Sequence, residues 1–140
     1  MQIIYSAEAG ATSSGREGKI TSEDHHLELD LSVPKKLGGK GGEGTNPEQL
    51  FAAGYAACFS SAVSLIARQQ KLNSGDFTII GRVGLGRSDE GKYGLAVELE
   101  GRFPDLSEAQ SLEVMRAAHE VCPYSNAIRG NVEVKLSVAS

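Results

Sequence analysis

One uncharged segment constrains the fold of this chain more than any other feature. Residues 49–67 contain no Asp, Glu, Lys or Arg, although charged residues make up 23% of the sequence. A membrane-spanning helix needs about 20 predominantly apolar residues, whereas glycine, serine and alanine dilute this segment. We therefore predict no membrane span and expect a helix that is buried in protein. A chain of 140 residues has little core with which to cover such a helix on all sides, which predicts a homodimer.

Two competing signals place the start of this central helix. Thr45 and Glu48 have the spacing of a capping box. Asn46 followed by Pro47 fits an N-cap residue with proline in the first turn. Both registers predict a helix that begins here and runs to about Gln70.

Strand patterns dominate the segments before and after this helix. Ile3–Glu8 and Lys19–Ser22 are short strand candidates, and Leu27–Val33 alternates apolar and polar residues with one buried face. Phe77–Ser88 and Tyr93–Phe103 predict a hairpin around a turn that ends in glycine. Glycines at positions 81, 84 and 86 indicate bulges or close contact with the central helix.

The last third of the chain predicts two helices and a strand. The first helix starts near Asp105 with Glu108, and its buried face is expected to contain Leu112, Met115 and Ala118. Pro123 suits the first position of a short helix that ends near residue 129. Residues 132–138 alternate as a final strand. The order βββ-α-ββ-α-β predicts an α+β fold in a single domain, residues 1–140.

Composition excludes several classes of function. The formal net charge of −4 argues against electrostatic binding to nucleic acid or to anionic membranes. Residues 1–14 lack the basic and apolar regions of a signal peptide, so we expect a cytoplasmic protein. Two cysteines do not make a secreted disulfide framework.

The two cysteines are the first candidates for chemistry. Cys58 lies inside the uncharged helix and is, from the residues alone, either a small buried hydrophobe or a reactive thiol. Cys122 stands at the N-cap of the helix that starts at Pro123, where the helix dipole favours a thiolate. His119 precedes Cys122 by three residues, so a Cys–His nucleophile and a Cys/His metal site stay open.

Other polar features have simpler explanations at this level. Residues 38–44 are rich in glycine but lack the lysine position of a P-loop, which indicates a mobile connector. Arg16 lies in a turn between strand candidates. Glu48 in the first helical turn is explained by the helix dipole and capping alone.

Four segments together resemble a known family. They are Gly15–Gly18, Leu37–Gly39, Thr45–Phe59 and Cys122–Ala127. In order and spacing these segments resemble the Ohr/OsmC family, and most closely its Ohr branch, the organic hydroperoxide resistance proteins. The resemblance runs essentially from end to end. It implies an intertwined α+β homodimer, with antiparallel-rich sheets around two long central helices and two sites at the subunit interface.

The resemblance also implies a cysteine-based, lipoyl-dependent peroxidase that reduces organic (alkyl or fatty-acid) hydroperoxides to alcohols. Cys58 takes the role of the peroxidatic nucleophile, which becomes a sulfenic acid, and Cys122 resolves it as a Cys58–Cys122 disulfide. Arg16 and Glu48 form the charged network beside Cys58. The family uses no metal and no tightly bound cofactor. Its external reductant is a dihydrolipoyl group, on a lipoylated protein or as dihydrolipoamide.

Two physical arguments refine this assignment. The N-cap position favours Cys122 as the thiolate, but the permanent charge of Arg16 can do more for Cys58, so we follow the family. Glu48 and Cys58 are ten residues apart, about 15 Å along one helix. Antiparallel central helices that cross near Ala53 would place Glu48 of one subunit beside Cys58 of the other, so each site is predicted to borrow Glu48 and Arg16 from the partner subunit.

Substrate preference follows from the expected surroundings of Cys58. An apolar pocket would favour organic hydroperoxides over hydrogen peroxide, because each buried methylene contributes about 0.8 kcal/mol. The residues expected to supply it are Leu50, Phe51, Ala57, Phe59, Leu65 and Ile66. Three alternatives remain at this point: a general OsmC-type peroxidase with a broader substrate range, a non-enzymatic dimer that binds a small ligand or lipid, and a Cys–His hydrolase.

Overall fold

Two three-stranded sheets and three helices make up the chain in the computed structural model, which describes residues 1–140. The elements are β1 (Ala9–Ala11), β2 (Lys19–Ser22), β3 (Glu28–Asp30), α1 (Pro47–Gln69), β4 (Thr78–Arg87), β5 (Tyr93–Arg102), α2 (Glu108–Val121), α3 (Pro123–Ile128) and β6 (Val134–Val138). Short 3-10 turns occupy Gly15–Glu17 and Lys35–Leu37. The predicted α+β class is confirmed. The chain divides into an N-terminal unit, residues 1–50, and a C-terminal unit, residues 51–140.

The N-terminal unit contains the antiparallel sheet β1-β2-β3. The prediction for β2 is confirmed residue for residue, but the strand predicted at Ile3–Glu8 is wrong. The first strand is instead Ala9–Ala11, which pairs with β2 from Ala9 opposite Ser22 onward. Pairing with β2 therefore selects the strand, and the apolar side chains before it are left exposed.

The third strand is shorter than its alternating pattern predicts. It ends at Asp30, and the following Leu31 forms an isolated parallel bridge with Thr45. Two backbone hydrogen bonds fix this arrangement: Thr45 N–H donates to Asp30 O, and Ser32 N–H donates to Thr45 O, each at 2.9 Å. The start of α1 is thereby tied to the end of β3.

The glycine-rich segment 38–44 folds back on the chain before it. Gly41 N–H donates to Val33 O at 3.0 Å, and Gly44 N–H donates to Ser32 Oγ at 2.9 Å. A Cβ on Gly39 would lie 2.2 Å from Val33 O, so only glycine fits this close approach.

The Asn46–Pro47 register starts α1. Gln49 N–H donates to Asn46 Oδ1 at 2.9 Å, as expected for an N-cap residue. Thr45 does not cap the backbone with its side chain and instead donates to Gln49 Oε1 at 2.9 Å. This register leaves the Glu48 carboxylate free of capping.

The C-terminal unit contains the sheet β4-β5-β6 and its covering helices. β4 and β5 form the predicted antiparallel hairpin, from Thr78 opposite Arg102 to Arg87 opposite Tyr93. β5 and β6 are parallel, because α2 and α3 connect them as a crossover. The largest fully buried side chains of this unit are Tyr55, Phe59, Leu99, Met115, Val63 and Val114.

The strand glycines divide into two kinds. β4 pairs with β5 without interruption, so the expected bulges are absent. A Cβ on Gly81 would lie 2.8 Å from Ala52 O, which confirms close contact with α1 at this position. Gly84 and Gly86 have no such neighbour, because the nearest atom to a Cβ on Gly84 is 4.0 Å away and none lies within 4 Å of one on Gly86.

The second helix is capped by a different residue from the one expected. Ser107 accepts a hydrogen bond from Gln110 N–H at 3.2 Å, and its own N–H donates to Gln110 Oε1 at 3.0 Å, which is a complete capping box. Met115 and Ala118 are buried as predicted, whereas Leu112 is only half-buried. The end of the following α3 at Ile128 agrees with the prediction.

The length and composition of α1 alone are sufficient for a membrane span, so the sequence argument that it is too weakly apolar is wrong. The core helix of a soluble protein can have the same length and composition. One side of α1, which includes Tyr55, Phe59 and Val63, packs inside the core of the C-terminal unit. This packing accounts for the apolar residues on that side of the helix.

Candidate active site

The fold brings the two cysteines together. Cys58 lies in the middle of α1 and Cys122 at the junction of α2 and α3, and their Sγ atoms are 3.8 Å apart. Both are free thiols, Cys122 fully buried and Cys58 partly exposed. Sixty-four residues separate them in sequence, so tertiary packing alone creates the pair.

The corner between α2 and α3 sets the position of Cys122. Cys122 ends α2 and precedes α3 in an extended conformation, with φ −66° and ψ 125°. Its N–H donates to Ala118 O and its carbonyl accepts from Asn126 N–H, each at 2.9 Å. Pro123 follows as the first residue of α3, where its missing N–H has no cost. Cys122 is the N-cap residue of α3, as the sequence predicted, but its side chain makes no capping hydrogen bond.

The environment of Cys58 acts on its ionisation in two directions. Burial raises the pKa of the Cys58 thiol, and the neighbouring Cys122 also raises it. A hydrogen bond from the backbone of Tyr124, in the first turn of α3, lowers the pKa and so favours the thiolate. Burial is the largest of these effects, and a nearby positive charge would oppose it by favouring the Cys58 thiolate.

The N-terminal unit contains the charged pair that the sequence singled out. Arg16 donates through Nη1 to Glu48 Oε2 at 2.8 Å and through Nη2 to Glu48 Oε1 at 2.7 Å. The Arg16 hydrogen bonds hold the pKa of Glu48 below its ordinary value, and those to Glu48 raise the pKa of Arg16. This bidentate geometry fixes the plane of the guanidinium. One pair is thus held in the N-terminal unit and the cysteine pair in the C-terminal unit.

Local backbone structure presents Arg16. It lies in the 3-10 turn between β1 and β2, after Gly15 with φ 54°. A Cβ on Gly18 would lie 2.0 Å from Thr12 Oγ1, so the turn closes only with glycine. The Gly-Arg-Glu-Gly segment therefore has a structural reason for both of its glycines.

Aromatic side chains of α1 and α3 pack against one another. Phe51, Tyr55 and Tyr124 form edge-on and tilted contacts, with ring centroids 5.7 to 6.3 Å apart. Phe51 and Tyr124 are partly exposed and can line a substrate site. Phe59, expected there, is fully buried in the core, and Ile66 is buried as well, so these two residues do not line a pocket.

Sequence reasoning missed a buried polar chain beside the cysteines. Ser125 Oγ lies 2.7 Å from the Tyr55 hydroxyl and 2.8 Å from His119 Nδ1. Burial lowers the pKa of His119 and raises that of Tyr55. The spacing of His119 and Cys122 was the visible signal, but the link to Tyr55 spans seventy residues and has no local pattern. No group of three or more His, Cys, Asp or Glu side chains is arranged to hold a metal ion.

Comparison with known proteins shows the family of the chain. The family model described as OsmC-like protein matches residues 39–137. The chain is 49% identical over 139 residues to an organic hydroperoxide resistance protein of Xanthomonas axonopodis pv. citri (strain 306), which covers 99% of this chain and 96% of that protein. The chain belongs to the Ohr/OsmC family. The family resemblance seen in the sequence is thus confirmed.

Solved structures of Ohr proteins share the fold. The crystal structure of an organic hydroperoxide resistance protein from Legionella pneumophila superposes with a TM-score of 0.92 at 47% identity, and covers 99% of this chain and 100% of that one. OhrB of Bacillus subtilis gives a TM-score of 0.88 at 42% identity, with 98% and 100% coverage. The Ohr/OsmC architecture therefore extends over essentially the whole chain.

Proposed function

We propose that this protein is a thiol peroxidase that reduces organic hydroperoxides to alcohols. The observation that carries the proposal is the 3.8 Å separation of Cys58 Sγ and Cys122 Sγ, which is suited to a redox-active pair. The names of the relatives support a peroxide-related role, because they are organic hydroperoxide resistance proteins. The remaining steps follow from the chemistry of the residues.

Cys58 is the proposed peroxidatic residue, since it is partly exposed whereas Cys122 is buried. Its thiolate attacks the outer peroxide oxygen, the O–O bond breaks, and the alkoxide takes a proton to leave as the alcohol. Cys58 is oxidised to a sulfenic acid. A thiolate is required for this attack, and the Arg16 guanidinium is the cation we assign to stabilise it.

Cys122 is the proposed resolving residue. Its sulfur attacks the Cys58 sulfenic acid, water leaves, and a disulfide forms that protects Cys58 from over-oxidation. The two sulfurs have to close from 3.8 Å to about 2.05 Å, which a modest rearrangement of side chains and helix ends can provide. An external dithiol then reduces the disulfide by thiol–disulfide exchange. We assign this role to a dihydrolipoyl group, on a lipoylated protein or as dihydrolipoamide, and no tightly bound cofactor is needed.

A homodimer is part of the proposal. Ala53, Ala57, Ser61 and Leu65 lie on one exposed stripe of α1 at spacings of four residues. Packing this stripe against its copy would bury the uncovered side of the helix and intertwine the two subunits. Antiparallel packing would also place the partner subunit's Glu48 and Arg16 beside Cys58. We assign this dimer to the cytoplasm, where a reducing environment maintains free thiols.

Organic hydroperoxides are the proposed substrates rather than hydrogen peroxide. Phe51 and Tyr124 are partly exposed aromatic residues of the cysteine region. They can contact an alkyl tail, and burial of each methylene contributes about 0.8 kcal/mol. Hydrogen peroxide has no tail and gains nothing from these contacts. A specificity ratio near one for the two peroxides would contradict this assignment.

A thiol count tests the function. Free thiols are measured before and after addition of one equivalent of an alkyl hydroperoxide, and we expect rapid loss of two thiols per chain. Cys58→Ser is expected to abolish peroxide consumption, whereas Cys122→Ser retains one turnover and accumulates over-oxidised Cys58. The reverse pattern would exchange the two roles. Absence of thiol loss in the unmodified protein would favour a ligand-binding dimer, and ester turnover without thiol loss would favour a hydrolase.

Turnover with different reductants tests the recycling step. Peroxide consumption is compared with dihydrolipoamide, thioredoxin and glutathione as electron donors. The proposal expects sustained turnover with dihydrolipoamide and slow turnover with the other two. Comparison of alkyl with fatty-acid and hydrogen peroxides in the same assay separates an Ohr-type activity from a broader OsmC-type one.

A further inference from the structure

A buried polar chain joins three helices around the cysteine pair. The Tyr55 hydroxyl on α1, Ser125 Oγ on α3 and His119 Nδ1 on α2 follow one another at 2.7 and 2.8 Å. Tyr55 and Ser125 are fully buried, and His119 is half-buried. A buried polar group without a hydrogen-bond partner is costly in free energy, and the two hydrogen bonds give all three of these groups a partner.

Two members of this hydrogen-bonded chain of side chains flank Cys122 in the sequence. His119 lies three residues before Cys122 on α2, and Ser125 lies three residues after it on α3. Their hydrogen bond therefore closes the corner whose apex is Cys122. A second bond reinforces this corner, because the Arg129 guanidinium donates to His119 O at 2.6 Å.

The third member of the chain ties the corner to the other cysteine. Tyr55 precedes Cys58 by about one turn of α1. The hydrogen bond from Tyr55 to Ser125 consequently links the helix of Cys58 to the helix that follows Cys122. A helix of six residues such as α3 has little stability of its own, so its orientation depends on these contacts.

We propose that Ser125 and His119 are positioning residues that hold Cys122 Sγ within reach of Cys58 for disulfide closure. This inference rests on the proposed function only for its role in peroxide reduction, because closure of the Cys58–Cys122 disulfide can be measured without a peroxide. Loss of the Ser125 hydroxyl removes both bonds of the chain and lets the corner move. Closure slows as the two sulfurs spend less time at the short separation.

An aromatic disulfide measures closure directly. The Cys58 thiolate attacks the reagent, one aromatic thiolate leaves, and Cys58 carries a mixed disulfide. The Cys122 thiolate then attacks the Cys58 sulfur, a second aromatic thiolate leaves, and the Cys58–Cys122 disulfide remains. The rate at which the first aromatic thiolate is released measures the reaction of Cys58 alone. The rate at which the second is released measures formation of the Cys58–Cys122 disulfide, which is the closure step. Stopped-flow absorbance separates the two rates in the full-length protein.

Ser125→Ala is compared with Ser111→Ala. Ser111 is an equally buried serine of α2, but its hydroxyl donates to Ser107 O within the same helix at 2.8 Å. We expect Ser125→Ala to slow the second release by about tenfold, the effect of one or two lost buried hydrogen bonds, and the first by less than about threefold. Ser111→Ala should leave the ratio of the two rates unchanged.

Variants of His119 separate positioning from general stability. His119→Asn places an amide group near the position of Nδ1, so we expect it to retain most of the closure rate of the unmodified protein. His119→Leu has no polar group there and should slow closure as Ser125→Ala does. Tyr55→Phe keeps the ring in the core and removes only the hydroxyl, so it serves as a second test if Ser125→Ala does not fold. It is expected to slow the second release by at least about threefold.

Two results would overturn the inference. One is an unchanged rate of the second thiolate release in Ser125→Ala and His119→Leu. The other is an equal slowing of the first and second releases, which would indicate a general loss of structural stability. Failure of the proposed function looks different, because the unmodified protein would then close its disulfide with the aromatic reagent but fail to consume hydroperoxide. With hydroperoxide as oxidant, slow closure in Ser125→Ala should also increase the fraction of Cys58 found as sulfinic acid by mass spectrometry.

Discussion

At the scale of single residues, the Arg16–Glu48 pair has the clearest electrostatic consequence. The Glu48 side chain is 14% exposed and that of Arg16 is 41% exposed, so water weakens their attraction without removing it. The arginine hydrogen bonds keep the pKa of Glu48 low. Glu48 therefore stays ionised, and able to pair with Arg16, at lower pH than an unpaired glutamate would.

This shift predicts how stability depends on pH. The folded pKa of Glu48 lies below its unfolded value, so the pair stabilises the fold above the unfolded pKa of about 4.3 and loses this effect as pH falls through the folded value. Glu48→Gln should therefore lower the free energy of unfolding by up to about 1 kcal/mol at pH 7, and by less at acid pH. Urea unfolding at several pH values measures the difference.

A matched control exists in the same unit. Glu28 pairs with Lys19 at 3.1 Å, but both side chains are 47% exposed. Glu28→Gln should change the free energy of unfolding by no more than about 0.5 kcal/mol at any of these pH values. An equal effect of both substitutions, or a Glu48→Gln effect that grows in acid, would contradict the electrostatic role assigned to Glu48.

At the scale of elements, the contact between β4 and α1 depends on a missing side chain. A Cβ on Gly81 would lie 2.8 Å from the backbone oxygen of Ala52, whereas a Cβ on Gly84 would meet nothing closer than 4.0 Å. A backbone oxygen cannot move away by a change of rotamer, as the end of a flexible side chain can. Gly81 thus sets how closely the sheet approaches the helix that carries Cys58.

The two glycines form a matched pair of substitutions. Gly81→Ala should lower the free energy of unfolding by about 1–3 kcal/mol, because strand and helix have to separate. Gly84→Ala should be neutral or stabilising by up to about 1 kcal/mol, because alanine is less flexible than glycine in the unfolded chain. Urea midpoints of the two variants give the answer. Equal stability of the two variants would show that the Ala52 contact imposes no constraint.

The accuracy of sequence reasoning differed between elements for physical reasons. The start of α1 and the β4–β5 hairpin were predictable because Asn46–Pro47 and the turn at Gly91 are local signals. The first strand was not, since pairing with β2 selects Ala9–Ala11 over a more apolar neighbour. The parallel pairing of β6 likewise depends on a crossover that no single segment encodes.

The candidate site shows the same division. The four residues Arg16, Glu48, Cys58 and Cys122 were identified through the family resemblance, and the structure joins them as two pairs. Ser125 and Tyr55 escaped notice because serine and tyrosine are common, and only packing of α1 against α3 brings them together. Long-range polar contacts leave no spacing pattern in one sequence.

At the scale of the whole molecule, the two pairs belong to different units of the chain. Arg16 and Glu48 bond to each other within the N-terminal unit, so they are contributed to any site together. Glu48 and Cys58 lie ten residues apart on the continuous helix α1, about 15 Å along its axis. In the proposed homodimer, we therefore expect a shared site to combine the charged pair of one subunit with the cysteine pair of the other.

Mixed dimers test this arrangement. The Glu48→Gln subunit retains an intact cysteine pair, and the Cys58→Ser subunit retains an intact Arg16–Glu48 pair. Each variant alone is expected to lose at least about tenfold in activity. Co-expression should restore roughly a quarter of the unmodified activity, because half of randomly mixed dimers contain one intact site out of two. Peroxide consumption by the purified mixture measures the recovery.

The control for this experiment is a mixture that cannot complement. In a dimer of Glu48→Gln with Arg16→Gln, each cysteine pair receives a charged pair with one member missing, whichever subunit supplies it. Activity should stay at the level of the separate variants. Recovery in the first mixture together with none in the second requires that Arg16 and Glu48 act in trans as one unit. If neither mixture recovers although mixed dimers are present by native mass spectrometry, each subunit uses its own charged pair, and the proposed exchange between subunits is wrong.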